Sequence, residues 1–207
     1  MKKSILWIIG LLFVTSFSIV SCDETDGAVD PYFNWEERNQ LYIDSIARVA
    51  NANLGNEVGQ WKVIHTWKFN PPINDLNPNV NDYVYCKVLE KGMGITPLFT
   101  DTVSVNYRGK LIPLYGGEEI IFDQNYKGDL NPDIAIPSKM VLYGVEDGYV
   151  RQLVDGWQTA LMQMKVGDRW LLYVPSDLGY GDAGSTGIPG YSTLVFDVRL
   201  DNVYPLK

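Results

Sequence analysis

Histidine occurs once in this chain and cysteine twice, and cationic side chains are outnumbered, 17 Lys and Arg against 25 Asp and Glu. The scarcity of histidine removes most Ser-His and Cys-His arrangements, which need a base within reach of a nucleophile. The lone candidate, His65, sits in Trp61-Lys-Val-Ile-His-Thr-Trp67 with no nucleophile motif beside it, and its alternating neighbours suit a structural place on a strand. No metal-ligand spacing is present, so neither a metal nor a cofactor is expected. With a formal charge of −8 and no run of Lys or Arg, the chain lacks the electrostatic footprint of a nucleic-acid binder. Internal repeats and low-complexity tracts are missing as well.

One long apolar run is present, from Ile5 to Val20, behind Lys2 and Lys3 and ending in Ile19-Val-Ser-Cys22. It is short for a membrane span, and its place behind two lysines reads as a secretory signal over residues 1–21. A small residue followed by cysteine at the end of such a run resembles the bacterial lipobox, which implies a lipidated Cys22 as the mature N terminus. Acyl chains gain about 0.8 kcal/mol per buried methylene, so two or more of them hold a protein firmly at a membrane it does not enter. The acidic Asp23-Glu-Thr-Asp26 resembles an onward sorting signal and implies the outer membrane of a bacterial cell envelope. With Cys22 committed to lipid, Cys86 has no partner for an internal disulfide.

A chain of 207 residues holds one ordinary domain with an extension. Residues 22–33 read as a tether. Asn34-Trp-Glu-Glu37 then offers a capping residue with an acid three positions on, and Trp35, Tyr42, Ile46 and Val49 follow at helical spacing, which predicts a helix from Trp35 to Ala52. A strand is expected from Gln60 to Phe69, followed by a Pro- and Asn-rich connector that closes a helix-strand extension over 34–82. The tryptophans at 35, 61 and 67 argue that this extension is buried against the rest of the chain.

From Tyr83 to the end the pattern is that of strands interrupted once by a helix. Strands are expected over Tyr83–Leu89, Asp101–Gly109, Ile120–Asp123, Arg169–Val174 and Ser192–Leu200. Between them Val154, Trp157, Leu161 and Met164 form an apolar stripe, with Gly167 as the stop. This arrangement predicts an α+β fold, an antiparallel twisted sheet wrapped around one short helix, in a domain spanning 83–207.

Six short motifs follow one another in this region: Tyr107-Arg-Gly109, Phe122-Asp123, Val154-Asp-Gly-Trp157, Met164-Lys-Val-Gly-Asp-Arg169, Gly179-Tyr-Gly181 and Thr193-Leu-Val-Phe-Asp-Val198. Each alone is weak, but their order and spacing from Tyr83 to Tyr204 resemble the FKBP-type peptidyl-prolyl cis/trans isomerases. The resemblance implies a pocket for a proline ring. In it Tyr107 and Phe122 form walls, Trp157 the floor, and Ile188 and Phe196 the far side. Asp123 would bond to the flap tyrosine, a backbone N–H at Leu153 or Val154 would bind the substrate carbonyl, and the Tyr180 hydroxyl would meet the bound peptide. It further implies proline-containing polypeptides as partners and binding of macrolide inhibitors, with contact to the membrane through the lipid anchor only.

The chain departs from the compact members of that family between Asp123 and Trp157, where an insertion over 124–156 leaves one wall open among Met140, Val141 and Tyr143. It is also longer between Tyr107 and Phe122, and it carries Gly190-Tyr191 where Pro-His is common. Intact pocket positions favour an enzyme, whereas the insertion and anchor favour specialised binding by an FKBP-like binding or chaperone module, without excluding turnover. An isomerase needs no acid-base pair, which suits this composition: rotation about the X-Pro amide meets a barrier of about 20 kcal/mol without any bond being cleaved.

Overall fold

A computed structural model describes residues 29–68, 79–146 and 149–206. The expected signal, the anchor Cys22 and most of the 22–33 tether lie outside them. The described end of that tether is folded onto the domain: Phe33 meets Tyr115 edge-on at 6.2 Å, Tyr32 meets Trp35 at 5.1 Å, and the Tyr115 N–H donates to the Pro31 carbonyl at 2.9 Å.

The helix of the extension, α1, runs Trp35–Asn51 and is followed by the strand β1, Trp61–His65. The expected side-chain cap at Asn34 does not form. Asn34 adopts a left-handed conformation, φ 50°, and its amide donates to Glu37 at 3.3 Å instead of its oxygen accepting from the helix backbone. An extended conformation is what aims a capping oxygen at the second and third N–H groups, and a left-handed one does not.

Seven strands form one antiparallel sheet: β1, β2 (Tyr83–Glu90), β3 (Thr102–Leu111), β4 (Ile121–Gln124), β5 (Ser138–Val141), β8 (Arg169–Val174) and β9 (Leu194–Tyr204), in the order β1-β2-β8-β9-β3-β4 with β5 also on β3. A separate hairpin, β6 (Tyr143–Glu146) and β7 (Tyr149–Gln152), lies within the insertion, which therefore carries strands of its own. The second helix, α2, spans only Asp155–Leu161, ending three residues short of Met164. Tight turns follow, with Gln163 N–H to Ala160 O at 2.9 Å and Met164 N–H to Leu161 O at 3.2 Å, so Met164 remains buried although the chain has left the helix. Gly167 ends the turn beyond it at φ 94°.

Alternation sorts the strands onto two faces. Val84, Cys86 and Val88 of β2, Trp170, Leu172 and Val174 of β8, and Leu194, Phe196, Val198 and Leu200 of β9 point to the side covered by α2, where Trp157, Ala160 and Leu161 complete the main core. The alternate residues Tyr85, Tyr173 and Val195 point the other way and are covered by Ile43, Ala47 and Ala50 of α1 with Trp61 of β1. The extension thus packs against the sheet, as the tryptophans predicted. Beyond the reach of α1 the outer face becomes charged, and Arg169 grips Asp197 through two bonds of 2.8 and 2.7 Å.

Candidate active site

On its inner side, toward α2, the sheet leaves a cavity of about 240 Å3 lined by Tyr107, Phe122, Asp123, Met140, Leu153, Val154, Trp157, Tyr180 and Phe196. Eight of the nine side chains singled out in the sequence meet here. The ninth, Ile188, does not line the cavity; it is buried at 6 % exposure in the main core, and its backbone pairs with Ser185 within the flap.

Each wall has a local cause. Tyr107 lies mid-strand on β3, on the same inward face as Val103 and Val105. Phe122 is the extra residue of a β-bulge, because Gly109 pairs with Asp123 while Lys110 pairs with Ile121. A bulge re-aims a side chain, and here it lets two successive residues, Phe122 and Asp123, face one cavity. Gly109 makes room for them: a Cβ at that position would lie 2.7 Å from both the Phe122 and Phe196 rings. The open wall is filled by Met140, whose partner on β3 is the inward Val103. Val141 pairs with the outward Thr102, and Tyr143 is stacked on Phe99 at 4.6 Å, so neither reaches the cavity.

The rings meet edge to face in an unbroken series. Phe122 packs on Phe196 at 5.4 Å, Phe196 on Trp157 at 5.0 Å, and Trp157 on Tyr107 at 5.2 Å. Such contacts add about 0.5–1.5 kcal/mol each beyond area burial and fix ring orientation. The Tyr107 hydroxyl closes the circuit by donating to Asp123 Oδ2 at 2.7 Å. The carboxylate is thus committed to the strand tyrosine, whereas the resemblance implied the flap tyrosine, because Tyr107 and the Gly109–Asp123 pair occupy one face of the sheet two residues apart. Burial, and then that hydrogen bond, push the Tyr107 phenol well above its ordinary value, so it remains a donor throughout the physiological range.

The flap runs from Gly179 to Tyr191. Tyr191 N–H donates to Gly181 O at 2.9 Å and Gly184 N–H to Tyr180 O at 3.1 Å, folding the loop on itself. Gly184 is required for this: it has φ 69°, and a Cβ there would lie 2.3 Å from the Ile188 carbonyl. Tyr180 is 40 % exposed at the cavity mouth.

Asn125 is a site residue that sequence reasoning missed. Its Oδ1 accepts from the Tyr107 N–H at 2.9 Å and its Nδ2 donates to the Val105 carbonyl at 2.9 Å, so one side chain holds the strand backbone that carries the wall tyrosine. In the sequence it stands two residues past the expected strand Ile120–Asp123, at the start of the insertion, and nothing there marks it as a site residue.

A larger groove of about 660 Å3 lies elsewhere, between α1 and the segment 175–177, but no ring of converging side chains is built into it. His65 lies outside both; its ring meets Tyr83 edge-on at 4.9 Å. Among the described residues no cluster of three His, Cys, Asp or Glu could hold a metal, and no helix is long and apolar enough to cross a membrane. Cys86 is fully buried, and burial pushes its thiol far above the range in which a thiolate forms.

The profile of the FKBP-type peptidyl-prolyl cis-trans isomerases matches residues 95–201. The chain is 37 % identical over 118 residues to the peptidyl-prolyl cis-trans isomerase Mip of Coxiella burnetii, covering 56 % of this chain and 43 % of that protein. It is 41 % identical over 120 residues to the isomerase FkpA of Escherichia coli K12, covering 58 % of this chain and 37 % of that one. The matched part is therefore about two fifths of these relatives' length. The crystal structure of FkpA from Escherichia coli superposes with a TM-score of 0.53 and 30 % identity over 84 % of this chain and 62 % of that one. A peptidyl-prolyl isomerase from Pseudomonas syringae shares the fold, with a TM-score of 0.53 at 23 % identity over 86 % of this chain and all of the other. From its sheet, its ring-lined cavity and these likenesses, the chain belongs to the FKBP-type peptidyl-prolyl cis-trans isomerase family.

Proposed function

We propose that this chain catalyses cis/trans isomerisation of X-Pro bonds in polypeptides, with Tyr107, Phe122, Met140, Trp157 and Phe196 enclosing the proline ring. The observation that carries this is the unbroken series of edge-to-face aromatic rings around a cavity of about 240 Å3. Clefts for drug-sized ligands run roughly 300–1,000 Å3, so this hollow suits a single small ring. The planar amide is more polar than the twisted one, and seating it among aromatic rings disfavours the ground state more than the transition state. The one carboxylate present is bonded to Tyr107, so the walls offer no base, and the reaction needs none.

In this reading the backbone N–H at Val154, which caps α2, takes the substrate carbonyl, and the Tyr180 hydroxyl meets the peptide at the mouth. Macrolides with a proline-like ring compete for the same hollow. The signal-like run and Cys22 support export and lipid tethering, and the acidic Asp23-Glu-Thr-Asp26 supports the outer membrane of a bacterial envelope, which would place exported proteins within reach as clients.

A proline tetrapeptide assay on the purified chain tests the activity. Acceleration is expected, falling about tenfold in kcat/KM in Asp123→Ala and in Tyr180→Phe; no acceleration by the intact chain would leave a non-catalytic binding module. Incorporation of labelled palmitate, abolished by Cys22→Ser, tests the anchor.

A further inference from the structure

The N-terminal helix touches the domain where the flap meets β9. Trp35, buried at 8 % exposure, donates its indole N–H to Ser192 Oγ at 3.0 Å, and that hydroxyl donates onward to the Pro189 carbonyl at 2.6 Å. One turn along the helix, Asn39 accepts from the Thr193 N–H with Oδ1 at 2.7 Å and donates through Nδ2 to the Trp35 carbonyl at 2.7 Å. The Thr193 hydroxyl donates to the Asn39 carbonyl at 3.4 Å. Asn39, Ser192 and Thr193 are each 2 % exposed, so these bonds are shielded from competing water.

Ser192 and Thr193 follow the flap directly. The neighbouring Tyr191 N–H donates to Gly181 O, and Gly181 follows the cavity residue Tyr180. Five glycines lie from 179 to 190, so the loop's backbone is restrained by its hydrogen bonds and little by its side chains. Its end nearest β9 is therefore fixed by α1, from outside the segment matched by the family profile.

We propose that Trp35, Asn39 and Ser192 are positioning residues that hold the flap, and with it Tyr180, over the proline cavity, making the extension part of the site. The proposal rests on the isomerase reading for its catalytic consequence and on hydrogen bonding alone for the anchor. The full chain is compared with Ser192→Ala and, as a second route that keeps the aromatic packing, Trp35→Phe.

Amide exchange at Gly181, Gly184 and Tyr191 is expected to quicken about tenfold, the equivalent of one net hydrogen bond, while β8 and β9 amides keep their protection. kcat/KM on a proline tetrapeptide is expected to fall about fivefold, and the loss should vanish in a Tyr180→Phe background, since both changes act through one side chain. Unchanged flap exchange in both variants overturns the anchor. Faster exchange with unchanged kcat/KM, or losses that simply add to that of Tyr180→Phe, overturns the positioning role and leaves the isomerase reading intact. A wild-type chain without turnover overturns that reading instead, and flap exchange alone then decides the anchor.

Discussion

Asn125 supplies what a missing strand residue would have supplied. Along the outer edge of β3, β4 pairs with Arg108, Gly109 and Lys110, β5 pairs with Thr102 to Val105, and between the two the Asn125 carboxamide presents one acceptor and one donor to Tyr107 and Val105. Asn125→Ala leaves both backbone groups unmatched in a part-buried edge, and a loss of about 2–3 kcal/mol in urea unfolding is expected. Asn125→Asp keeps the acceptor and should recover part of it. None of this was legible in the sequence, where an asparagine beside a turn carries many meanings. Tyr107, Phe122, Trp157 and Phe196 were legible as pocket residues because they stand in motifs of fixed order. Ile188 lies outside those motifs, was given a pocket place by the resemblance alone, and is buried in the main core.

At the scale of elements, α1 and β1 cover the sheet's outer face through a layer of rings in which Tyr173 lies 5.5 Å from Trp61 and 6.2 Å from Tyr42. Burial pushes the phenols of Tyr85 and Tyr173 from 10.0 up to about 12. A phenol kept neutral in the folded chain but free to ionise when unfolded leaves stability untouched below pH 10.0 and erodes it from there toward about 12. Chemical denaturation between these limits should show that decline, and Tyr173→Phe should lessen it while leaving the neutral-pH value less affected. The spacing in α1 matches its span to within a residue but not its buried face, which is Trp35, Asn39, Ile43, Ala47 and Ala50 while Val49 is 54 % exposed; the stripe through Met164 overextends α2 because Met164 stays buried after two tight turns have replaced the helix. Apolar spacing reports burial and does not by itself report backbone hydrogen bonding.

Among the described residues the seven-stranded sheet carries a helix on each face, and the outer helix is as integral as the inner one. The family profile begins at residue 95, inside neither β1 nor β2, yet both strands extend the sheet beyond β8. A fragment of residues 83–207 would uncover Tyr85, Tyr173 and Val195 and open an edge on β2, so thermal unfolding at least about 5 °C lower and self-association on size exclusion are expected. The alternation of apolar residues, the order of the motifs and the scarcity of histidine determined, from sequence alone, the α+β class, the family resemblance and the set of rings around the cavity, because these depend on local period and on residue type. Three things were decided only in the folded chain: that Met140 fills the open wall, that Asp123 bonds to Tyr107, and that α1 reaches the base of the flap. Each depends on strand register or on contacts between residues far apart in the chain, and neither is fixed until the sheet has closed.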